Sequence, residues 1–153
     1  MRRFRKTWEP PRHPWRKEVL AAEIELVGKY GLRNKRELWK AKTLLRKIRS
    51  RARKLLALPP LERMKEEEDL KRKLVAYGLI NENATIDDIL SLTVEDILKR
   101  RLQTIIYEQK IAKSIYHARQ LITHRKVIVG NNVIASPGYL VKKHEENQIR
   151  LKE

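Results

Sequence analysis

Cations are the side chains of this sequence with the clearest chemistry, because they outnumber the anions almost two to one. The 153 residues include 36 Lys and Arg against 19 Asp and Glu, a net charge of +17. Such a charge destabilises a compact chain by self-repulsion. Binding to a polyanion relieves this repulsion, because the protein's cations replace the counterions condensed on the polyanion. Nucleic acid is therefore the predicted partner. A membrane is not expected, because no segment has the apolar face of an interfacial helix.

The cations are concentrated towards the two ends of the chain. Residues 1–55 carry 19 basic and 5 acidic side chains, residues 56–98 carry 5 and 10, and residues 99–153 carry 12 and 4. Two cationic regions thus flank an acidic one. We expect an extended basic tail at 1–16, a helical nucleic-acid-binding scaffold at 17–98 and a small binding module at 99–153.

The basic tail is interrupted by prolines, which forbid a regular helix and favour an extended path. Its aromatic side chains could stack on exposed bases while its arginines follow the phosphates. The alternative is a solvated terminus without a fixed conformation. The candidate nucleic-acid contacts of the tail are Arg2, Arg3, Arg5 and Arg12.

A long amphipathic helix is predicted after Asn34, whose side chain can cap it. Apolar residues recur every three or four positions from Leu38 to Leu55, and the other positions of 35–54 include ten Lys and Arg but a single acid, Glu37. A solvated helix mixes signs to form i,i+4 pairs, so this pattern indicates one packed face and one face on phosphates. A basic coiled-coil strand is the alternative, but it lacks complementary charges. The candidate contacts are Arg46, Lys47, Arg49, Arg53 and Lys54.

Acidic residues at 87–88 and 95–96 could suggest catalysis, but each pair lies in a helix-capping box that begins at Thr85 or Thr93. The absence of cysteine excludes disulfide scaffolds and thiolate zinc sites. No run of 18 apolar residues is present. We therefore expect a non-enzymatic protein without a metal or cofactor.

The C-terminal part changes from helical to strand periodicity. A helix is predicted at 93–108 and a second one after Ser114, followed by a Gly130-Asn131-Asn132 turn between strands. The expected strands are 126–129, 133–135, 139–141 and 148–151. The predicted fold class is α+β: a mainly helical basic N-terminal domain, then a helix pair followed by a short twisted antiparallel sheet.

Three C-terminal runs carry a family resemblance: R-R-L-Q-T at 100–104, K-S-I-Y-H-A-R-Q-L-I-T-H at 113–124 and V-I-V-G-N-N-V-I-A-S-P-G-Y-L-V at 127–141. They resemble the RNA-binding module of small-subunit ribosomal protein S4. The match continues upstream through H-P-W, G-K-Y-G-L-R-N-K-R-E-L-W-K and L-S-L-T-V-E-D-I-L, so it covers almost the whole chain and is similar to the archaeal and eukaryotic-type branch.

The resemblance implies that the helix pair lies on RNA. Ser114 at the start of the second helix would then cap an anion site, Arg119 would offer a planar fork to phosphate, and Gln120 would offer an amide. The candidate contacts of the module are Arg100, Arg101, Lys113, Ser114, Arg119, Gln120, His124 and Arg125.

The sequence also departs from the family pattern. Arg125 stands where relatives often have a glycine, so either the helix ends differently or Arg125 accepts backbone strain and reaches RNA. His144-Glu145-Glu146-Asn147 replaces the usual Gly-Asp before the last strand. The cysteine cluster of bacterial members is absent, and no structural metal is expected.

By this resemblance we expect a cytoplasmic structural protein of the small ribosomal subunit. It would bind ribosomal RNA, nucleate assembly and lie beside neighbouring ribosomal proteins, near the path by which messenger RNA enters. An RNA-modifying enzyme is disfavoured because 153 residues leave no room for a separate catalytic domain. A free RNA chaperone or ribosome-rescue factor with the same module is the remaining alternative.

Overall fold

The computed structural model describes residues 6–152, and in that range it contains seven α-helices, one 3₁₀ helix and three short strands. The helices are α1 (Lys17–Lys29), α2 (Lys35–Leu56), α3 (Pro60–Ala76), α4 (Ile86–Ser91), α5 (Val94–Lys99), α6 (Leu102–Glu108), α7 (Ile115–Thr123) and the 3₁₀ helix Lys143–Gln148. The strands are β1 (Val127–Val129), β2 (Asn132–Val133) and β3 (Ile149–Leu151). The predicted α+β fold class is confirmed.

Helix α2 is the central element of the N-terminal part. The predicted cap is present, because the Asn34 side-chain oxygen accepts a hydrogen bond from the Glu37 amide at 3.2 Å. The predicted apolar stripe packs against α1, α3, α4 and α5 and forms the first hydrophobic core. The buried residues of that stripe are Leu38, Ala41, Leu45, Ala52 and Leu55.

The prediction of a single helix at 93–108 is wrong, because the chain forms two helices there, with a break at Arg100 and Arg101. The Leu102 amide donates to the Tyr139 carbonyl at 2.8 Å, and the Val141 amide donates to the Arg100 carbonyl at 3.0 Å. This pairing with a distant segment replaces helical hydrogen bonds. The strand predicted at 139–141 is correspondingly reduced to one bridge, between Leu140 and Arg101.

The sheet of the C-terminal part is antiparallel, with β1 between β2 and β3. Gly130 has φ +60° in the turn that joins β1 to β2, as the turn sequence predicted. The inner face of β1 packs on α6 and α7 and forms a second hydrophobic core. Leu102, Ile106, Ile122, Val127 and Val141 are buried there.

Both departures from the family pattern have a defined geometry. Arg125 adopts φ +58°, and its amide donates to the Ile122 carbonyl at 2.9 Å, so the helix ends as it would at glycine. Because a side chain disfavours this left-handed conformation, the arginine costs roughly 1 kcal/mol there. Residues 144–147 form part of the 3₁₀ helix, where the Glu145 carboxylate accepts from the Lys142 amide at 3.1 Å.

Candidate nucleic-acid interface

The outer face of α2 presents a row of cations to solvent. Lys47, Arg53 and Lys54 are exposed, as predicted from the helical pattern. Arg46 is exposed as well but forms an ion pair with Glu9 of the tail. Arg49 is half-buried and donates to the Leu92 carbonyl at 2.5 Å, so part of its guanidinium is held within the protein.

The described part of the tail runs along α2 without regular secondary structure, in agreement with the extended path that its prolines predict. The Glu9 amide donates to the Thr43 hydroxyl at 3.1 Å. The rings of Trp8 and Trp39 lie 5.3 Å apart between centroids. The tail is therefore anchored at its middle. Arg12 is exposed beyond this anchor, whereas Arg2, Arg3 and Arg5 lie outside the described residues.

Helix α7 and the residues at its two ends carry a second group of polar and basic side chains. The Ser114 hydroxyl accepts a hydrogen bond from the His117 amide at 3.1 Å, which confirms the predicted cap. Gln120 and His124 share a shallow hollow with His117, Leu121 and Lys126. A capped helix start of this kind leaves backbone N–H groups that favour an anion. The predicted contacts exposed around α7 are Lys113, Ser114, Gln120, His124 and Arg125.

Three other predicted contacts have partners inside the protein. Arg101 is only 6% exposed and donates to one oxygen of Glu37 at 2.6 Å, and Arg119 donates to the other oxygen at 2.5 Å. Arg100 donates to the Glu146 carboxylate at 2.8 Å and to the Val141 carbonyl at 3.2 Å. These arginines stay predictions as RNA contacts, and the structure gives each of them an intramolecular role.

We call Glu37, Arg101 and Arg119 the Glu37 clasp, because they join α2 to the C-terminal module. Arg119 also donates to the Gln103 side-chain oxygen at 3.2 Å, and Gln103 in turn donates to the Gly31 carbonyl at 3.0 Å. Burial would raise the pKa of Glu37, but the hydrogen bonds from Arg119 and Arg101 outweigh it and hold that pKa below its usual range. The carboxylate therefore stays ionised between the two cations.

A tight backbone approach completes this junction. Gly31 has φ +56°, and a Cβ at this position would lie 2.8 Å from the Ile115 side chain at the start of α7. A side chain at position 31 would therefore force the Ile115 side chain to shift. Sequence reasoning missed Glu37 and Gln103, although one acid in an otherwise cationic helix was a usable signal for an ion pair inside the protein.

A second buried carboxylate removes two cations from the α2 surface. Glu23 of α1 accepts from Lys42 at 2.7 Å and from the Trp39 indole at 3.0 Å, and Lys35 lies 3.6 Å away. Burial would raise the pKa of Glu23, but these donors and charges lower it overall. Lys35 and Lys42 are therefore partly withdrawn from the surface, whereas Arg36 and Lys40 of the same half of α2 remain exposed.

Two of the acidic residues that could have suggested catalysis, Asp88 and Asp96, cap helices instead. Asp88 accepts from the Thr85 amide at 2.7 Å and Asp96 from the Thr93 amide at 2.9 Å, which confirms both predicted boxes. Within residues 6–152, no three acidic or histidine side chains are grouped so that they could hold a metal ion. No helix in the same range is long and apolar enough to cross a membrane.

The fold and its cationic surfaces define the class as a two-part α+β nucleic-acid-binding protein. Two family models agree: residues 2–99 match the ribosomal protein S4/S9 N-terminal domain, and residues 100–147 match the S4 domain. The chain belongs to the S4 family of small-subunit ribosomal proteins, which confirms the resemblance found in the sequence.

Several curated relatives bear the name small ribosomal subunit protein uS4. The chain is 56% identical to the protein of Ignicoccus hospitalis, over 97% of this chain and 89% of the relative. It is 58% identical to that of Hyperthermus butylicus, over 95% and 82%. It is 55% identical to that of Saccharolobus solfataricus, over 97% and 82%. These organisms are archaea, in agreement with the predicted branch.

Proposed function

We propose that this protein is a structural component of the small ribosomal subunit and binds the ribosomal RNA of that subunit. The cationic face of α2 carries this proposal, because exposed Lys47, Arg53 and Lys54 offer positive charge that the phosphates of a polyanion would neutralise. The similarity to uS4 proteins over 95–97% of the chain supports the same function. The role is one of binding and positioning rather than catalysis.

The binding mechanism combines phosphate contacts with recognition of RNA shape. The face of α2 neutralises phosphates at a folded junction, and the exposed groups along α7 and at its ends contact phosphates and unpaired bases. The Glu37 clasp fixes the angle between these two surfaces. Because both surfaces are held in one arrangement, only RNA with phosphates at the matching spacing engages them together.

The proposed contacts follow the division into tail (1–16), scaffold (17–98) and module (99–153). Arg46 and Arg49 position the tail and the Leu92 loop as well as adding charge, and Arg100, Arg101 and Arg119 act mainly within the protein. The proposed direct contacts are Arg12, Lys47, Arg53, Lys54, Lys113, Ser114, Gln120, His124 and Arg125, together with Arg2, Arg3 and Arg5.

The same reasoning covers the protein's place in the ribosome. Binding of a folded RNA junction by a preformed protein surface favours a role in nucleating assembly. We further propose a cytoplasmic ribosomal location beside neighbouring small-subunit proteins, near the path of the incoming messenger RNA. A free RNA chaperone is the alternative. Co-sedimentation with small subunits through a high-salt wash separates the two, because a free chaperone would be removed.

A charge-reversal pair tests the RNA surface directly. We expect Lys47→Glu with Arg53→Glu to remove about two phosphate contacts and to reduce the slope of log K against log salt by about 1.5. Arg72→Glu with Lys73→Glu on α3 is the matched control, because it changes net charge equally on another helix. Binding of small-subunit ribosomal RNA is measured by filter retention at several salt concentrations. Equal losses in the two variants would contradict the assignment of α2.

A further inference from the structure

The first half of α3 extends beyond the hydrophobic core. No residue between Pro60 and Asp69 is buried, and the helix joins the core only through Leu70 and Leu74 in its second half. Ten helical residues without buried contacts gain little stability in water, because isolated helices of this length are marginal. This half-helix is therefore a segment whose packing partner is not supplied by the described part of the chain.

Two large apolar side chains are exposed on this half-helix. Leu61 is 80% exposed and Met64 is 69% exposed, and their i,i+3 spacing puts them on one face. Leu56, at the end of α2, is 48% exposed just before the connection to α3. Single exposed apolar residues are normal on a protein surface, but adjacent ones on an unsupported helix are typical of an interaction site.

The charge around these apolar residues is opposite to that of the rest of the protein. Residues 56–98 carry 10 acidic against 5 basic side chains in a chain of net charge +17. On α3, Glu67 is neutralised by Lys71 at 2.9 Å and by Arg63 at 3.5 Å. The carboxylates exposed on the half-helix are Glu62, Glu66, Glu68 and Asp69, of which Glu66 lies 4.0 Å from Arg51 and Asp69 lies 3.7 Å from Arg72.

We infer that the first half of α3 is a docking surface for a cationic, partly apolar segment of another protein. RNA is disfavoured as the occupant, because exposed carboxylates repel phosphates, and an anionic lipid surface is disfavoured for the same reason. A basic segment with an apolar side satisfies both features, since Leu61 and Met64 supply buried area and the flanking acids supply specificity. This surface is distinct from the proposed ribosomal RNA contacts on α2 and α7.

Site-specific photo-cross-linking tests the inference in the assembled subunit. The full chain carries benzoylphenylalanine in place of Leu61 and is incorporated into small subunits before irradiation. We expect an adduct that nuclease leaves intact and protease removes, with a basic protein as the attached chain. An adduct to RNA, an adduct to a second copy of this chain, or no adduct overturns the inference.

The same photoreactive residue in place of Lys47 separates this inference from the proposed function. That probe is expected to give a nuclease-sensitive adduct with ribosomal RNA. If only the RNA adduct from position 47 is missing, the RNA surface of α2 is contradicted. If only the protein adduct from position 61 is missing, the docking surface of α3 is contradicted. Incorporation of both proteins into subunits is measured first, so that each probe is compared in equal amounts.

Charge reversal on α3 tests the chemistry of the partner. With the photoreactive residue at position 61, Glu62→Lys and Glu68→Lys together are expected to reduce the protein adduct by about tenfold, because like charges then face each other. Glu18→Lys with Glu25→Lys is the matched control, since both residues are exposed on α1. An adduct yield unchanged by the α3 substitutions would show that the partner is not recognised by its positive charge.

Discussion

Replacing Glu37 by Gln removes the one charge that the Glu37 clasp needs while keeping the shape of the side chain. Arg101, which is only 6% exposed, would then lose its carboxylate partner. Arg119, which is 20% exposed, would lose the carboxylate oxygen that lies 2.5 Å from its guanidinium. Breaking a buried ion pair from one side costs about 3–5 kcal/mol. We expect a loss of about 3 kcal/mol in the free energy of unfolding, because Glu37 and Arg119 still contact water.

The pH dependence gives an independent measure of the same interaction. Arg119 and Arg101 hold the pKa of Glu37 below its usual range in the folded protein, although burial alone would raise it. The folded chain therefore gains stability from this group above the usual glutamate pKa, and the gain is lost as pH falls through the lowered folded value. In Glu37→Gln this part of the acid-induced loss should disappear.

Urea unfolding followed by circular dichroism measures both effects, at neutral pH and at several acidic values. Glu25→Gln is the control, because Glu25 is exposed on α1 and its replacement raises the net charge by the same amount. The reasoning is refuted if the two variants unfold at the same urea concentration. It is also refuted if Glu37→Gln loses less than about 1 kcal/mol, the contribution of a surface ion pair.

Three further substitutions test individual features of the fold. Ser114→Ala should lower the free energy of unfolding in urea by about 1 kcal/mol, because the His117 amide loses its cap acceptor. An unchanged free energy would mean that water replaces the hydroxyl. Arg125→Gly should raise the free energy of unfolding by about 0.5–1 kcal/mol, because φ +58° suits glycine. It should also weaken RNA binding in a filter assay, because the cation is lost, and unchanged binding would remove Arg125 from the interface. Gly31→Ala should lower the melting temperature, because its Cβ would lie 2.8 Å from Ile115; a melting temperature equal to that of the unmodified chain would contradict the tight junction.

Local features of the fold could be predicted from the sequence because they depend on neighbouring residues. The caps at Asn34 and Ser114 require a side chain and an amide three residues apart. The apolar stripe of α2 follows from helical periodicity alone. The turn at Gly130 needs only a residue that tolerates positive φ.

Features that depend on distant residues could not be predicted in this way. The break between α5 and α6 exists because residues 100–102 pair with residues 139–141, and periodicity continues through the break without a signal. The predicted cations of α2 are mostly exposed for a local reason, the helical pattern. The single acid Glu37 indicates an ion pair inside the protein, but its partners Arg101 and Arg119 lie more than 60 positions away in the chain, and no local pattern identifies them.

The Glu37 clasp changes how the arginines of the C-terminal module act on RNA. Arg119 already donates to Glu37, Gln103 and the Gly31 carbonyl, so a phosphate could reach its guanidinium only by displacing a carboxylate at 2.5 Å. Within residues 6–152, the exposed cations around α7 form no ion pair that a phosphate would have to displace. A module separated from α2 would therefore expose Arg101 and Arg119. It would bind RNA through two cations that are paired with Glu37 in the full chain. Contacts mapped on such a fragment would overstate the role of these two arginines, whereas contacts mapped on the full chain should fall on the exposed groups of α2 and α7.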